Sequence, residues 1–222
     1  MKEYARRKGP RSGFTLVEML VVVGIILILM SAIMGGVMKM KKSAMNAKAQ
    51  DLVTSAATAL TAILQMDKNW PGYLIKSSAA GDPLLDSDAC QPLISRNVFS
   101  VSHERDRDQN GDTYWKLTGQ DRCGIADPWA AGMLRRLNPA ISGNSALSRS
   151  VPTGGTVKDH ILRFAIDDDY DGICVARVGG KTVRVRASAV VWCCGANGVF
   201  DDYDKAGHSD DIYSWTRSQV QR

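Results

Sequence analysis

The sequence predicts an α+β fold: a long N-terminal α-helix, membrane-spanning in its first half, packed on a small antiparallel β-sheet head that ends in an aspartate-rich loop. Three observations predict it. Residues 14–38 form an apolar run whose only charge is Glu18. Beyond residue 45, Ala49, Leu52, Val53, Ala56, Leu60, Ile63 and Leu64 recur at three- and four-residue steps, the spacing of one helix face. Residues 161–166, 173–178 and 182–192 are rich in branched and aromatic side chains, as strands are.

The helix comes first. About 20 apolar residues cross the hydrocarbon core of a bilayer, so residues 14–38 are long enough. No proline falls between Gly13 and Pro71, and residues 14–65 read as one helix, roughly 78 Å long at 1.5 Å per residue. That is more than a bilayer needs, so the distal half must pack on something, and the chain's own head is the candidate. Lys39, Lys41, Lys42 and Lys48 mark the exit from the membrane. Gly35 and Gly36 are the weakest stretch, because each glycine costs ~1 kcal/mol inside a helix. The run "NWPGY" (residues 69–73) ends the helix in a Pro-Gly turn. Residues 74–112 read as loop with short irregular elements. The three strand-like runs read as an antiparallel meander, with "GGK" (residues 179–181) as a hairpin turn. Its apolar face covers the amphipathic half of the helix. The expected divisions are residues 1–13 as a leader, 14–38 as the membrane half, 39–66 as the amphipathic half and 67–222 as the head.

Charge excludes one class of function. Residues 1–13 hold five of the 28 basic residues and one of the 23 acidic ones. The formal net charge of +5 is therefore nearly all in the leader. The remainder is close to neutral and lacks the basic face that a nucleic-acid partner needs. A basic leader stays on the cytoplasmic side of a membrane, which places the head outside the cytoplasm. A secretory signal has an apolar core of about 7–15 residues and a small-residue cleavage site. The run here is longer and no A-x-A site follows it.

An exported head permits disulfides. The five cysteines are Cys90, Cys123, Cys174, Cys193 and Cys194. None forms a C-x-x-C pair, so zinc-ribbon spacing is absent. Cys193 and Cys194 are adjacent in a strand and face opposite ways. Cys174 with either of them is one expected bridge, and Cys90 with Cys123 is a second. Buried free thiols are the competing expectation.

Oxygen-rich segments suggest a cation. "DRDQNGD" (residues 106–112) and "DDDYDG" (residues 167–172) begin like EF-hand loops, but their twelfth positions are Leu117 and Val178 in place of glutamate. Both read as polar turns. The tail brings Asn197, Asp201, Asp202, Asp204, Asp210 and Asp211 together with Gly195, Gly198 and Gly207. Such a loop suits Ca²⁺, which takes about 6–8 oxygens. Its mutual repulsion opens it unless a cation is bound. His103, His160 and His208 stand in no recognisable catalytic motif, and no enzymatic activity is expected.

Glu18 sets the remaining question. An acid at the head of a membrane helix costs about 2.5–3.5 kcal/mol on insertion scales. Cleavage between Gly13 and Phe14 would create an α-amine at the same depth, and an amine can neutralise a carboxylate there. The two are poorly placed within one straight helix. Between axially shifted neighbours they pair well, which makes Glu18 a register device for a polymer.

The run "GFTLVEMLVVV" (residues 13–23) resembles the leader and N-terminal helix of type IV prepilins and type II secretion pseudopilins. "NWPGY" is similar to the end of the pseudopilin helix. "DPWAAG" (residues 127–132) and the stretch from "WCCGANGVF" to "SDDIYSW" resemble segments of the major pseudopilins. The resemblance implies cleavage after Gly13 by a membrane prepilin peptidase, N-methylation of Phe14, and pairing of Glu18 with the Phe14 amine of an adjacent subunit. Gly35 stands where the family often has a helix-breaking proline. The resemblance also implies calcium in the C-terminal loop, with Asn197 in place of an aspartate, Asp210 and Asp211 as the matching pair, and Asp202 and Asp204 as further candidates. The implied protein is a subunit of a secretion pseudopilus or a type IV pilus, acting in protein export. It would be single-pass in the bacterial inner membrane, with its leader cytoplasmic and its head periplasmic. Its implied partners are copies of itself, other pseudopilins, the inner-membrane assembly platform and lipid, and no nucleic acid. The alternative is a minor or tip subunit, a membrane-tethered head that binds a ligand or cargo without polymerising.

Overall fold

The computed structural model describes residues 15–79, 83–101, 103–107, 110, 111, 113–117, 124–130, 147–201, 203 and 210–221. The chain divides into two units, Met1–Ala44 and Met45–Arg222. Helix α1 (Leu16–Asp67) runs from one into the other without a break at Gly35 and Gly36.

In the first unit every described side chain from Thr15 to Ala44 is exposed, including the branched residues Leu20, Val22, Ile25, Leu27 and Ile33. This stretch is long and apolar enough to cross a membrane. The hydroxyl of Ser31 donates to the carbonyl of Ile28 at 2.8 Å, which satisfies it without water.

In the second unit α1 buries a stripe. Ala49, Val53, Ala56, Leu60 and Ile63 are inaccessible, and Leu52 and Leu64 pack at its edge. The stripe lies against one face of a three-stranded sheet built from β3 (Arg163–Ile166), β6 (Ala189–Cys193) and β7 (Ile212–Tyr213), in the order β3-β6-β7. Antiparallel register sorts the side chains. Phe164 opposes Val191 and Ile166 opposes Ala189, and these four face the helix. Ala165 opposes Val190, and both point to the other side with Trp192. That side meets a second sheet of β4 (Ile173–Val178), β5 (Lys181–Arg186) and β8 (Val220–Gln221), which contributes Cys174, Ala176, Val178, Val183 and Val185. The unit is thus a helix, a sheet covered on both faces, and an outer sheet. The outer face of β4 and β5 leaves Val175, Arg177, Arg184 and Arg186 exposed, the alternation expected of a half-covered antiparallel sheet.

Two expectations are corrected here. The three strand-like runs do not form one meander. Residues 182–192 split at Ala187 and Ser188, and β6 pairs with β3 while β5 pairs with β4. The reason is burial: β6 is covered on both faces and belongs at the centre, whereas β5 carries arginines on alternate positions. Gly179 and Gly180 do close a two-residue hairpin turn, with Val178 opposite Lys181. Residues 74–112 are also more regular than a loop. They contain most of α2 (Gly72–Ala79), all of α3 (Gln91–Ser95) and β1 (His103–Arg107), which pairs with β2 (Thr113–Leu117). The turn after α1 is held down as well as turned. The backbone N–H of Trp70 donates to the Tyr170 hydroxyl at 2.9 Å, and its indole N–H donates to the carbonyl of Asp167.

Candidate functional site

At its start, α1 carries a reciprocal cap. The backbone N–H of Glu18 donates to the Thr15 hydroxyl oxygen at 3.2 Å. The backbone N–H of Thr15 donates to Glu18 Oε2 at 2.7 Å, and the Thr15 hydroxyl donates to the same oxygen at 2.9 Å. This is a capping box, which satisfies donors a helix start leaves open. The signal T-x-x-E is present in the sequence at Thr15 and Glu18, and reading Glu18 only as an assembly acid missed it. Gly13 and Phe14 lie outside the described residues.

The C-terminal loop is built around Asp210. Its Oδ2 accepts the backbone N–H groups of Ala196 at 2.8 Å and Asn197 at 3.1 Å. Gly195 has a φ of 69°, and a Cβ there would stand 2.1 Å from the carbonyl oxygen of Asp210, so only glycine fits. Asp211 Oδ2 accepts the N–H of Asp201 at 3.0 Å and the Tyr213 hydroxyl at 2.9 Å. These contacts bring carboxylate oxygens of Asp201, Asp210 and Asp211 within 4.8 Å of one another. Burial, with the negative charges of Asp201 and Asp210 adding to it, pushes the Asp211 carboxyl up to about 6, against its own hydrogen bonds. Asp210 Oδ1 is buried and meets no hydrogen-bond donor among the described residues. The donor set is hard oxygen, the kind Ca²⁺ takes. Of the expected ligands, Asp210 and Asp211 stand together, and Asp201 joins them. Asn197 turns its side-chain oxygen to the N–H of Val199 at 2.8 Å. Asp202 and Asp204 lie outside the described residues.

A second carboxylate group lies in the turn after β3. Asp167 accepts the N–H groups of Asp171 at 3.0 Å and Gly172 at 2.8 Å, with Asp169 and Asp171 alongside. The other EF-hand-like run, residues 106–112, lies largely outside the described residues.

The expected bridge from Cys174 to Cys193 or Cys194 is not formed, and the competing expectation of buried free thiols holds for these three. Cys174, Cys193 and Cys194 are free thiols in this structure. Cys174 sits in the core between the sheets and Cys193 in the core under the helix, on opposite sides of the central sheet. Burial pushes the Cys174 thiol up to about 12 and raises Cys193 and Cys194 as well. Cys123 lies outside the described residues.

The structure also joins three residues that no local spacing connects. His160, Asp127 and Cys194 are wholly buried. His160 Nδ1 is 2.8 Å from Asp127 Oδ2 and 3.8 Å from Cys194 Sγ, and its Nε2 is 2.9 Å from the carbonyl oxygen of Gly154. Asp127 Oδ1 accepts the N–H groups of Trp129 and Ala130. Burial pushes the Asp127 carboxyl up, against the hydrogen bond and charge of His160. Burial opposes charge on the His160 ring too, but Asp127, the Gly154 carbonyl and the charge of Asp159 together outweigh it and His160 is raised. The sequence offers one hint, an aspartate before Pro128, which is the position of a helix N-cap. The pair touches the C-terminal loop indirectly, because Gly154 packs so closely on Asn197 that a Cβ would lie 2.1 Å from its carbonyl oxygen.

Residues 9–34 match the family model of the prokaryotic N-terminal methylation motif. The match supports a prepilin-type leader of the kind that type IV pilin-like proteins carry. The matched segment covers the end of the leader, the Thr15–Glu18 cap and the apolar start of α1. In general such a motif implies processing by a prepilin peptidase and assembly into pilus-like polymers. With this motif and one long apolar N-terminal helix, the chain fits a membrane-anchored, single-pass protein. No curated protein and no solved structure matches the chain.

Proposed function

We propose that this prepilin-like chain is cut between Gly13 and Phe14, N-methylated at Phe14, and polymerised into a type II secretion pseudopilus that acts in protein export. The leader faces the cytoplasm and the head faces the periplasm. The observation that carries the reading is the methylation motif over residues 9–34, which runs into a long apolar helix. In the filament, Glu18 neutralises the methylated amine of Phe14 on a neighbouring subunit. The capping box supports this placement, because it holds the Glu18 carboxylate at the very start of the helix. No step of the proposed function is chemical turnover.

The head adds a cation. Asp201, Asp210 and Asp211 would hold Ca²⁺, which would neutralise their repulsion and fix the loop from Gly195 to Asp211. The buried, unsatisfied oxygen of Asp210 favours this. Glu18→Ala tests the assembly role: filament formation is expected to fall sharply while the melting temperature of the head stays unchanged. Assembly at full efficiency in that variant would sink the register role.

A further inference from the structure

We propose that Asp127, His160 and Cys194 form a Zn²⁺ site inside the head, separate from the aspartate loop. Three segments converge on it. Asp127 follows Ala126, which bridges to Ile161; His160 precedes Ile161; Cys194 directly follows the central strand β6. A backbone hydrogen bond of 2.9 Å from the N–H of Asp127 to the carbonyl of His160 locks the first two together.

The hydrogen bonding then calls for a positive centre, a proton or a metal ion. The carbonyl of Gly154 can only accept, so His160 Nε2 carries its proton. Without a second ring proton, Nδ1 presents a lone pair to Asp127 Oδ2, 2.8 Å away. Two acceptors stay that close only with a positive centre between them. The carboxylate cannot rotate away, because its other oxygen is held by Trp129 and Ala130. Cys194 Sγ approaches the same nitrogen at 3.8 Å. A histidine whose second nitrogen donates to a carbonyl, and a carboxylate anchored by backbone N–H groups, are the outer contacts that orient metal ligands.

The distances suit zinc. Bonds of about 2.0 Å to nitrogen and about 2.3 Å to sulfur, at an open angle, put those two atoms roughly 3.5–3.7 Å apart. The nitrogen–sulfur separation is already close to this. The nitrogen–oxygen separation must widen by about 0.5 Å, a small side-chain adjustment. Nitrogen and sulfur donors select Zn²⁺ over Ca²⁺, while the loop's oxygens select the reverse. Binding replaces two protons, the one shared by Asp127 and His160 and the one on Cys194. It leaves a cluster without net charge, which burial tolerates. A lone proton between Asp127 and His160 is the rival occupant. It satisfies that pair and leaves the Cys194 thiol donating to the carbonyl of Asp159 at 3.1 Å.

The test uses the full chain in detergent, stripped with a chelator and then kept in saturating Ca²⁺ so that the aspartate loop is occupied. Co²⁺ is titrated as a spectroscopic probe. One equivalent is expected to produce a sulfur-to-cobalt charge-transfer band that Zn²⁺ abolishes. The band should vanish in Cys194→Ser and persist in Cys174→Ser. Independently of any variant, calorimetry of Zn²⁺ binding in buffers of different ionisation enthalpy should show release of about two protons per metal. Absence of the band at one equivalent, its survival in Cys194→Ser, or binding without proton release would each overturn the site and leave the shared proton as the occupant.

Discussion

The two halves of helix α1 have the same backbone and opposite sources of stability. In the half up to Ala44, every described side chain is exposed, apolar ones included. In the half from Met45, five apolar positions are inaccessible under the central sheet. Among the described residues the first half therefore buries none of its apolar side chains, and it is long and apolar enough to cross a membrane. The second is held by the head's own packing. One helix thus serves two environments, and the switch between them lies in the pattern of its side chains rather than in its backbone.

Substitutions can break that contrast. Leu60→Ala removes a fully buried side chain and is expected to destabilise the head by ~2–5 kcal/mol, read as a lowered denaturation midpoint. Leu27→Ala, in the exposed half, should leave that midpoint where it is. Equal losses at both positions would show that the two halves are one cooperative unit.

Calcium comes next in size. At a hundredfold excess over its dissociation constant, a bound ion stabilises by ~2.7 kcal/mol, which raises the melting temperature of a domain this size by several degrees. A chelator should reverse that shift. Asp210→Asn and Gly195→Ala should each remove the response, the first by losing a charge and the second by displacing the Asp210 backbone. A melting temperature indifferent to chelator would refute calcium binding.

The cap is worth less. Thr15→Ala is expected to cost ~0.5–2 kcal/mol, confined to the first turn of α1, so amide exchange at residues 16–18 should quicken while the head melts as before. Smallest of all is the expected response of the thiols. Native protein at pH 8 should take almost no alkylating label on Cys174, Cys193 and Cys194, since all three are buried and raised. Rapid labelling would show that the head opens readily.

What could be read from the chain follows the range of the interactions involved. The helix is legible because its signal is local. Residues 14–65 were expected and Leu16–Asp67 is observed. The stripe from Ala49 to Ile63 is the buried face. The strands at 161–166 and 173–178 are legible for the same reason. Their partners are not, because β3 pairs with β6 across the intervening β4–β5 hairpin, and alternation within a strand does not name its neighbour. Helices α2 and α3 are short and their composition is mixed, so no period distinguishes them from loop. Asp210 and Asp211 were legible from a dense run of acids. The group of Asp127, His160 and Cys194 was not, because its members are separated by 33 and 34 residues and meet only through tertiary pairing. The Thr15–Glu18 cap is a local T-x-x-E signal too, set inside an apolar run whose membrane pattern dominates it.

The central claim is that this chain is a precursor whose working form begins at the helix. The mass of the mature protein's N-terminal peptide tests it most directly. The expected result is a chain that starts at Phe14 with one added methyl group. A chain that starts at Met1, or one cut beyond residue 36, would contradict it.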